Sequence, residues 1–169
     1  VECVKIPLTS GFNLQADKVS DAIDPEVKII FLCSPNNPTG NSMEKEGILK
    51  VVNAFDGLVV LDEAYIDFSS QPSFVPALQN HGNLVILQTF SKAWGLAALR
   101  IGMAFANPEI IKVLNMIKPP YNISGATQEL ALKALENQNK LALMIQDILE
   151  QKKHLKSMLL ELPAVQEVY

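Results

Sequence analysis

Arginine is almost absent. Of the 14 basic residues in this 169-residue chain, only Arg100 is an arginine; the others are lysines. The net charge of −4 leaves no general basic face for nucleic acid or an anionic membrane surface. Histidine occurs twice, at His81 before a glycine and at His154 among lysines, and neither belongs to a motif. Both read as solvated surface. Cysteine also occurs twice, as Cys3 and Cys33, far apart and without metal-ligand spacing. That excludes a disulfide framework and predicts reduced thiols, packed as small buried hydrophobes, in a cytoplasmic protein. No apolar run reaches transmembrane length, and no secretory leader, repeat or low-complexity tract is visible.

What is present is apolar and patterned. Hydrophobic residues make up 49% of the chain and charged residues 19%, so a packed domain is expected rather than disorder. Four β-rich runs stand out: "VKIIFLCS" (27–34), "GLVVLDEAY" (57–65), "NLVILQTF" (83–90) and "RIGMAFA" (100–106). Between the first two, "NSMEKEGILKVVNAF" has helical period, with Ile48, Val51, Val52 and Phe55 on one face and Asn41 or Ser42 as the cap. Asn107-Pro108 opens a further helix to about Asn115, with proline at its first position. After "KPPYNISG" the pattern stays helical to near Leu162. A break is expected at 137–139, with Asn139 capping a second helix of more than twenty residues that Pro163 ends. The segments at the two ends, "VECVKIPL" and "VQEVY", alternate like strands and suggest a piece of a longer protein.

Strands apolar on both faces, separated by helical segments, predict an α/β fold. Its sheet is parallel or mixed, with helices on both faces. Ligands of such sheets collect beyond the carboxyl ends of the strands. The polar clusters fall there: "SPNNPTG" after the first run, "DEAY" after the second and "TFSK" after the third.

Lys92 follows the third run in an apolar neighbourhood. A desolvated lysine amine is a better nucleophile and bonds carbonyls; the plain alternative is a lysine that snorkels to solvent. Arg100 lies eight residues on, flanked by Leu99 and Ile101. Its planar fork suits a phosphate, and Thr89 and Ser91 add hydroxyls on alternate positions, unless these only serve turn chemistry. A lysine for a carbonyl, with an arginine and two hydroxyls for a phosphate, is what pyridoxal 5′-phosphate requires. Asp62 ends a strand and reads either as a cap or structural ion pair, or as the partner of a pyridinium nitrogen. Tyr65 and Asn37 can hydrogen-bond a ring oxygen. Glu63 points to the opposite face from Asp62 and reads as structural.

In order, "SPNNPTG", "LDEAYIDF" and "TFSKAWGLAALRIG" resemble the fold-type I aminotransferases, and most of all their histidinol-phosphate aminotransferase branch. The resemblance runs over essentially the whole chain. It implies part of the large domain of a pyridoxal-phosphate enzyme, with a mixed, mostly parallel sheet. It implies that Lys92 is the Schiff-base lysine and the acid–base of the proton shift. Asp62 pairs with the pyridinium, Asn37 and Tyr65 bind the ring oxygen, and Thr89, Ser91 and Arg100 hold the phosphate. Asn37–Pro38 is implied to be cis. Trp94 stands where related motifs carry phenylalanine.

The implied substrates are small molecules: histidinol phosphate and imidazole acetol phosphate, with glutamate and 2-oxoglutarate. The implied assembly is a homodimer, with no nucleic acid and no membrane. The implied layout is a partial large domain over 1–136, a connecting helix over 137–162 and the start of a small domain over 163–169. By resemblance, further phosphate and ring contacts precede Val1 and the substrate arginines follow Tyr169, so the piece alone is expected to be inactive. Rival readings are a threonine-phosphate decarboxylase-like enzyme or an aromatic aminotransferase of the same fold, and, in another class, a non-catalytic binding or structural fragment. Tyr121 and Asn122 carry no assigned role.

Overall fold

The computed structural model describes residues 2–168; Val1 and Tyr169 lie outside the described residues. The chain divides into two compact units: residues 1–89 with 102–119, and residues 90–101 with 120–169.

In the first unit, β1 (Ile29–Cys33), β2 (Leu58–Asp62), β3 (Leu84–Thr89) and β4 (Gly102–Ala106) form one sheet in that order. β1, β2 and β3 are parallel, and β4 runs antiparallel to β3. A parallel neighbour needs a crossover, and α2 (Lys45–Ala54) lies in the one between β1 and β2. The α/β expectation therefore holds, with a mixed and mostly parallel sheet.

Strand alternation decides what is buried. Ile30, Leu32, Val59, Leu61, Leu84 and Ile86 take one parity of the register. They join Val19 of α1 (Ala16–Asp21) and Ile48, Val51 and Val52 of α2 in one core. Six of these, Ile48, Val51, Val59, Leu61, Leu84 and Ile86, are essentially inaccessible to solvent. Each such side chain contributes about 1.5–3 kcal/mol on burial, so this layer holds the sheet to the helices. Gly57 begins the second strand run because a Cβ there would stand 2.6 Å from the Lys28 carbonyl.

On the other parity Val60 and Val85 are buried as expected on β2 and β3, while β1 departs from that expectation. Ile29 is 46% and Phe31 71% exposed. β1 is the outer strand, and within this unit the core layer covers only its other side.

Helix ends follow the sequence in part. Asn107 caps α3 (Pro108–Ile117), its side chain accepting from the Glu109 N–H at 3.0 Å. The expected caps of α2 do not form: Glu44 is its N-cap and makes no side-chain bond. Asn41 instead donates to the Phe12 carbonyl at 3.0 Å, and Ser42 bonds Ser69 at 3.0 Å.

In the second unit, Ser124 caps α4 (Gly125–Leu135) through the Thr127 N–H. α5 (Gln138–Leu160) has the expected length, at 23 residues, but its N-cap position is Asn137 rather than Asn139. The Asn137 amide donates back to the Lys133 carbonyl at 2.8 Å, which closes α4 rather than capping α5. Pro163 lies just past the helix end as expected.

The strand-like alternation at the ends is not realised: residues 2–9 and 165–168 form no strand. Alternation favours extended backbone, but a strand also needs a neighbour for its N–H and C=O groups, and none pairs with them among the described residues.

Candidate active site

The loop after β1 is fastened to itself and to β2. The Ser34 N–H donates to the Asp62 carbonyl at 3.0 Å, and Ser34 Oγ accepts from the buried Met43 N–H at 2.9 Å. Asn36 bonds the Thr39 hydroxyl at 2.7 Å and donates through its N–H to the Asn41 carbonyl at 2.8 Å. Ser34–Pro35 and Asn37–Pro38 are both cis, the second as the resemblance implies. This leaves Asn37 exposed at the tip, where its Nδ2 donates to Tyr65 Oη at 3.2 Å. Two residues 28 apart in sequence are thus placed side by side.

Asp62 is the last residue of β2 and is half-buried. Its Oδ1 accepts from the Ala64 N–H at 2.9 Å, so it caps the turn that leads to Tyr65. The ion-pair alternative is not realised: among the described residues no lysine or arginine pairs with it.

Cys33 is the register partner of Asp62 on the next strand and shares its face. Its S–H donates to the Pro35 carbonyl at 3.4 Å. Burial pushes the thiol pKa up, the nearby backbone of Asn37 lowers it and the charge of Asp62 raises it further. Sequence reasoning gave Cys33 no place near the site; its position at a strand end was the available signal. The expectation that both thiols are buried is corrected, since Cys33 is only partly buried and Cys3 is exposed. Cys3 lies in a segment without regular secondary structure. His154 is exposed as expected, while His81 is half-buried, its carbonyl accepting from the Leu84 N–H at the start of β3.

Glu63 takes the opposite parity and is 1% exposed. Its carboxylate accepts from the Phe74 N–H at 2.7 Å, Ser73 Oγ at 2.6 Å and Gln88 Nε2 at 2.9 Å. Strand alternation predicts the face but not these partners, which lie 10, 11 and 25 residues away. Thr89 ends β3 and registers with Gly102 of β4. The strand stops there, so alternation does not extend to Ser91.

In the second unit the segment after β3 is a compact turn. The Leu96 N–H returns to the Phe90 carbonyl at 3.0 Å, and the Gly95 N–H to the Lys92 carbonyl at 2.9 Å. Gly95 has φ +66°, which a residue with a Cβ adopts only under strain. Ala93 is buried and Trp94 packs on Phe90, ring centroids 5.2 Å apart.

The expectation of a desolvated Lys92 is corrected: the side chain is exposed. Ser91 is half-buried. Arg100 is exposed and left-handed, φ +55° and ψ +40°, after the one-turn 3-10 helix Ala97–Leu99. For a residue with a side chain this costs on the order of 1 kcal/mol. One guanidinium N–H donates to the Ala97 carbonyl at 3.0 Å, a fraction of its five donors. Tyr121 and Asn122 are exposed.

The family model for class I and II aminotransferases matches residues 1–167. The chain belongs to that family. Among curated relatives, this aminotransferase chain is 52% identical over 169 residues to the histidinol-phosphate aminotransferase of Cytophaga hutchinsonii, and 48% identical to that of Flavobacterium johnsoniae. It spans all of its own length but 49% and 48% of theirs, about half of each. Among solved structures it resembles the histidinol-phosphate aminotransferase of Sinorhizobium meliloti in complex with pyridoxal-5′-phosphate. There the TM-score is 0.85 and the identity 25%, covering 95% of this chain and 45% of that one. It also resembles the L-threonine-O-3-phosphate decarboxylase of Porphyromonas gingivalis, with TM-score 0.74 and 26% identity, covering 87% of this chain and 46% of that one.

Proposed function

We propose that the full-length protein is a pyridoxal-phosphate-dependent aminotransferase acting between L-histidinol phosphate and 2-oxoglutarate. The observation that carries this reading is the 52% identity to a histidinol-phosphate aminotransferase over every residue of the chain. The strand-end groups support it.

Those groups fit the cofactor. Asp62 offers a carboxylate with no cation beside it among the described residues, which suits a protonated ring nitrogen. Asn37 and Tyr65, in contact at 3.2 Å, can together donate to one anionic oxygen. Arg100 keeps most of its N–H donors for a phosphate, and the hydroxyls of Thr89 and Ser91 are of the type that adds to such a grip. Lys92 is an exposed residue whose long side chain ends in an amine of the type that bonds a carbonyl carbon.

When bound, pyridoxal phosphate supplies a ring that accepts the electron pair left when the substrate Cα–H bond breaks. Asp62 keeps the ring nitrogen protonated. Asn37 and Tyr65 fix the ring oxygen. Thr89, Ser91 and Arg100 bind the phosphate. Lys92 Nζ would hold the cofactor through its carbonyl carbon, the carbonyl oxygen leaving as water, and as a free amine would take up and return the substrate Cα proton.

In the layout that follows, residues 1–136 are part of the large domain, 137–162 are the connecting helix and 163–169 begin a small domain. The full protein works as a cytoplasmic homodimer. No described helix is long and apolar enough to cross a membrane.

The likeness to the P. gingivalis decarboxylase supplies the second reading. Steady-state assays of the full-length protein separate the two. Amino transfer from L-histidinol phosphate to 2-oxoglutarate is expected. Carbon dioxide release from L-threonine O-3-phosphate without amino transfer would overturn the proposal.

A further inference from the structure

Glu63 is a buried carboxylate that none of these roles uses. At 1% exposure it must be held by donors, since a buried charge without hydrogen bonds is strongly disfavoured. Its donors come from two places. Ser73 and Phe74 lie at the end of the loop that leaves β2, and Gln88 lies on β3. Gln88 also donates to Ser73 Oγ at 3.2 Å, so the four groups form one network. The Glu63 N–H donates to the Leu87 carbonyl at 2.8 Å, carrying the β2–β3 ladder one residue past Asp62. The Glu63 carbonyl accepts from the Ile66 N–H at 3.0 Å, closing the turn that contains Tyr65. Backbone and side chain together therefore pin the chain on both sides of Asp62–Tyr65.

We propose that Glu63 is the positioning residue that sets the direction of the Asp62 carboxylate and the place of the Tyr65 hydroxyl. It faces away from the cofactor side and acts on it only through these neighbours. An uncharged acceptor would hold fewer of the donors, and the loop would loosen at Ser73–Phe74. The inference rests on the cofactor reading above, which assigns Asp62 and Tyr65 their roles.

The test uses full-length protein carrying Glu63→Gln, Gln88→Glu, or both. In the double variant the carboxylate moves to position 88. The amide introduced at position 63 then accepts from the Phe74 N–H and donates to that carboxylate. Three quantities are read: amide hydrogen exchange over residues 64–74 in the cofactor-free protein, the pyridoxal phosphate dissociation constant, and the pH midpoint of the bound-cofactor absorbance. With Glu63→Gln, exchange over 64–74 is expected to rise, the dissociation constant to rise roughly tenfold, as loss of a charged hydrogen bond implies, and the pH midpoint to move. The double variant is expected to return all three toward wild type. If Glu63→Gln lowers the melting temperature but leaves the dissociation constant and midpoint unchanged, Glu63 is structural only and the proposal fails, while the cofactor reading stands. If the wild-type protein binds no pyridoxal phosphate, the cofactor reading fails and this proposal fails with it.

Discussion

At the end of β2, Asp62 is half-buried and Glu63, beside it, is 1% exposed and bonded to three side-chain or backbone donors. In the segment between β3 and β4, Lys92 and Arg100 are both exposed, and Arg100 sits in a left-handed conformation after a single 3-10 turn. One region is an extension of the strand ladder over a packed core. The other is a turn of small residues closed by its own backbone bonds. A group that must hold a proton on one ring atom benefits from a fixed carboxylate. A group that must bond, release and move a proton benefits from a long side chain on an open turn. Rigidity comes from what lies beneath the strand end, and reach comes from the exposed stem.

The comparison breaks first at Lys92. In the full-length enzyme, Lys92→Ala is expected to lower amino transfer at least about a thousandfold, since it removes both the covalent bond and the proton carrier. A steady-state assay with L-histidinol phosphate reads this. The rigid region should answer differently. Ile48→Ala, on α2 in the core and fully buried, is expected to cost about 2–5 kcal/mol in denaturant unfolding. Phe31→Ser, on the exposed parity of β1, should change it by less than about 0.5 kcal/mol.

Asp62→Asn keeps shape and removes charge. Turnover is expected to fall roughly a hundredfold while the cofactor still binds, read by kcat together with the visible absorbance. Arg100→Lys keeps charge and removes the fork, and the pyridoxal phosphate dissociation constant should rise about tenfold with kcat at saturating cofactor little changed. The smallest effect separates the thiols. Cys3 is exposed, while Cys33 is partly buried with its pKa pushed up by burial first and by the Asp62 charge. Only the thiolate is alkylated, so Cys33 should react more slowly near neutrality and catch up only as pH rises past its raised pKa. The same shift has a sign for stability. The folded state binds the Cys33 proton more tightly than the unfolded chain, so its stabilising share is present below the ordinary thiol pKa and lost as pH rises through the raised value.

Much of this was legible in the sequence for a physical reason. Runs such as "GLVVLDEAY" are apolar enough to read as buried strands, and ligands of such sheets gather at their carboxyl ends. The four strands follow from β-rich apolar runs bounded by turns, and α2 and the 23-residue α5 from helical period. The rest depends on partners that sequence does not announce. Asn41 and Ser42 have capping side chains, but Phe12 and Ser69 take them. Glu63 reads as structural, yet its donors are scattered over 25 residues. Lys92 sits among apolar residues in sequence yet is exposed, because apolar neighbours along the chain do not by themselves bury a side chain. The end segments alternate like strands and lack a neighbour to pair with.

The central claim is that Lys92 carries the cofactor. Full-length protein loaded with pyridoxal phosphate, treated with borohydride and digested, tests it directly by peptide mapping. The account predicts a phosphopyridoxyl label on Lys92, in the peptide containing "TFSKAWGLAALR". A label on any other lysine, or none, would contradict it.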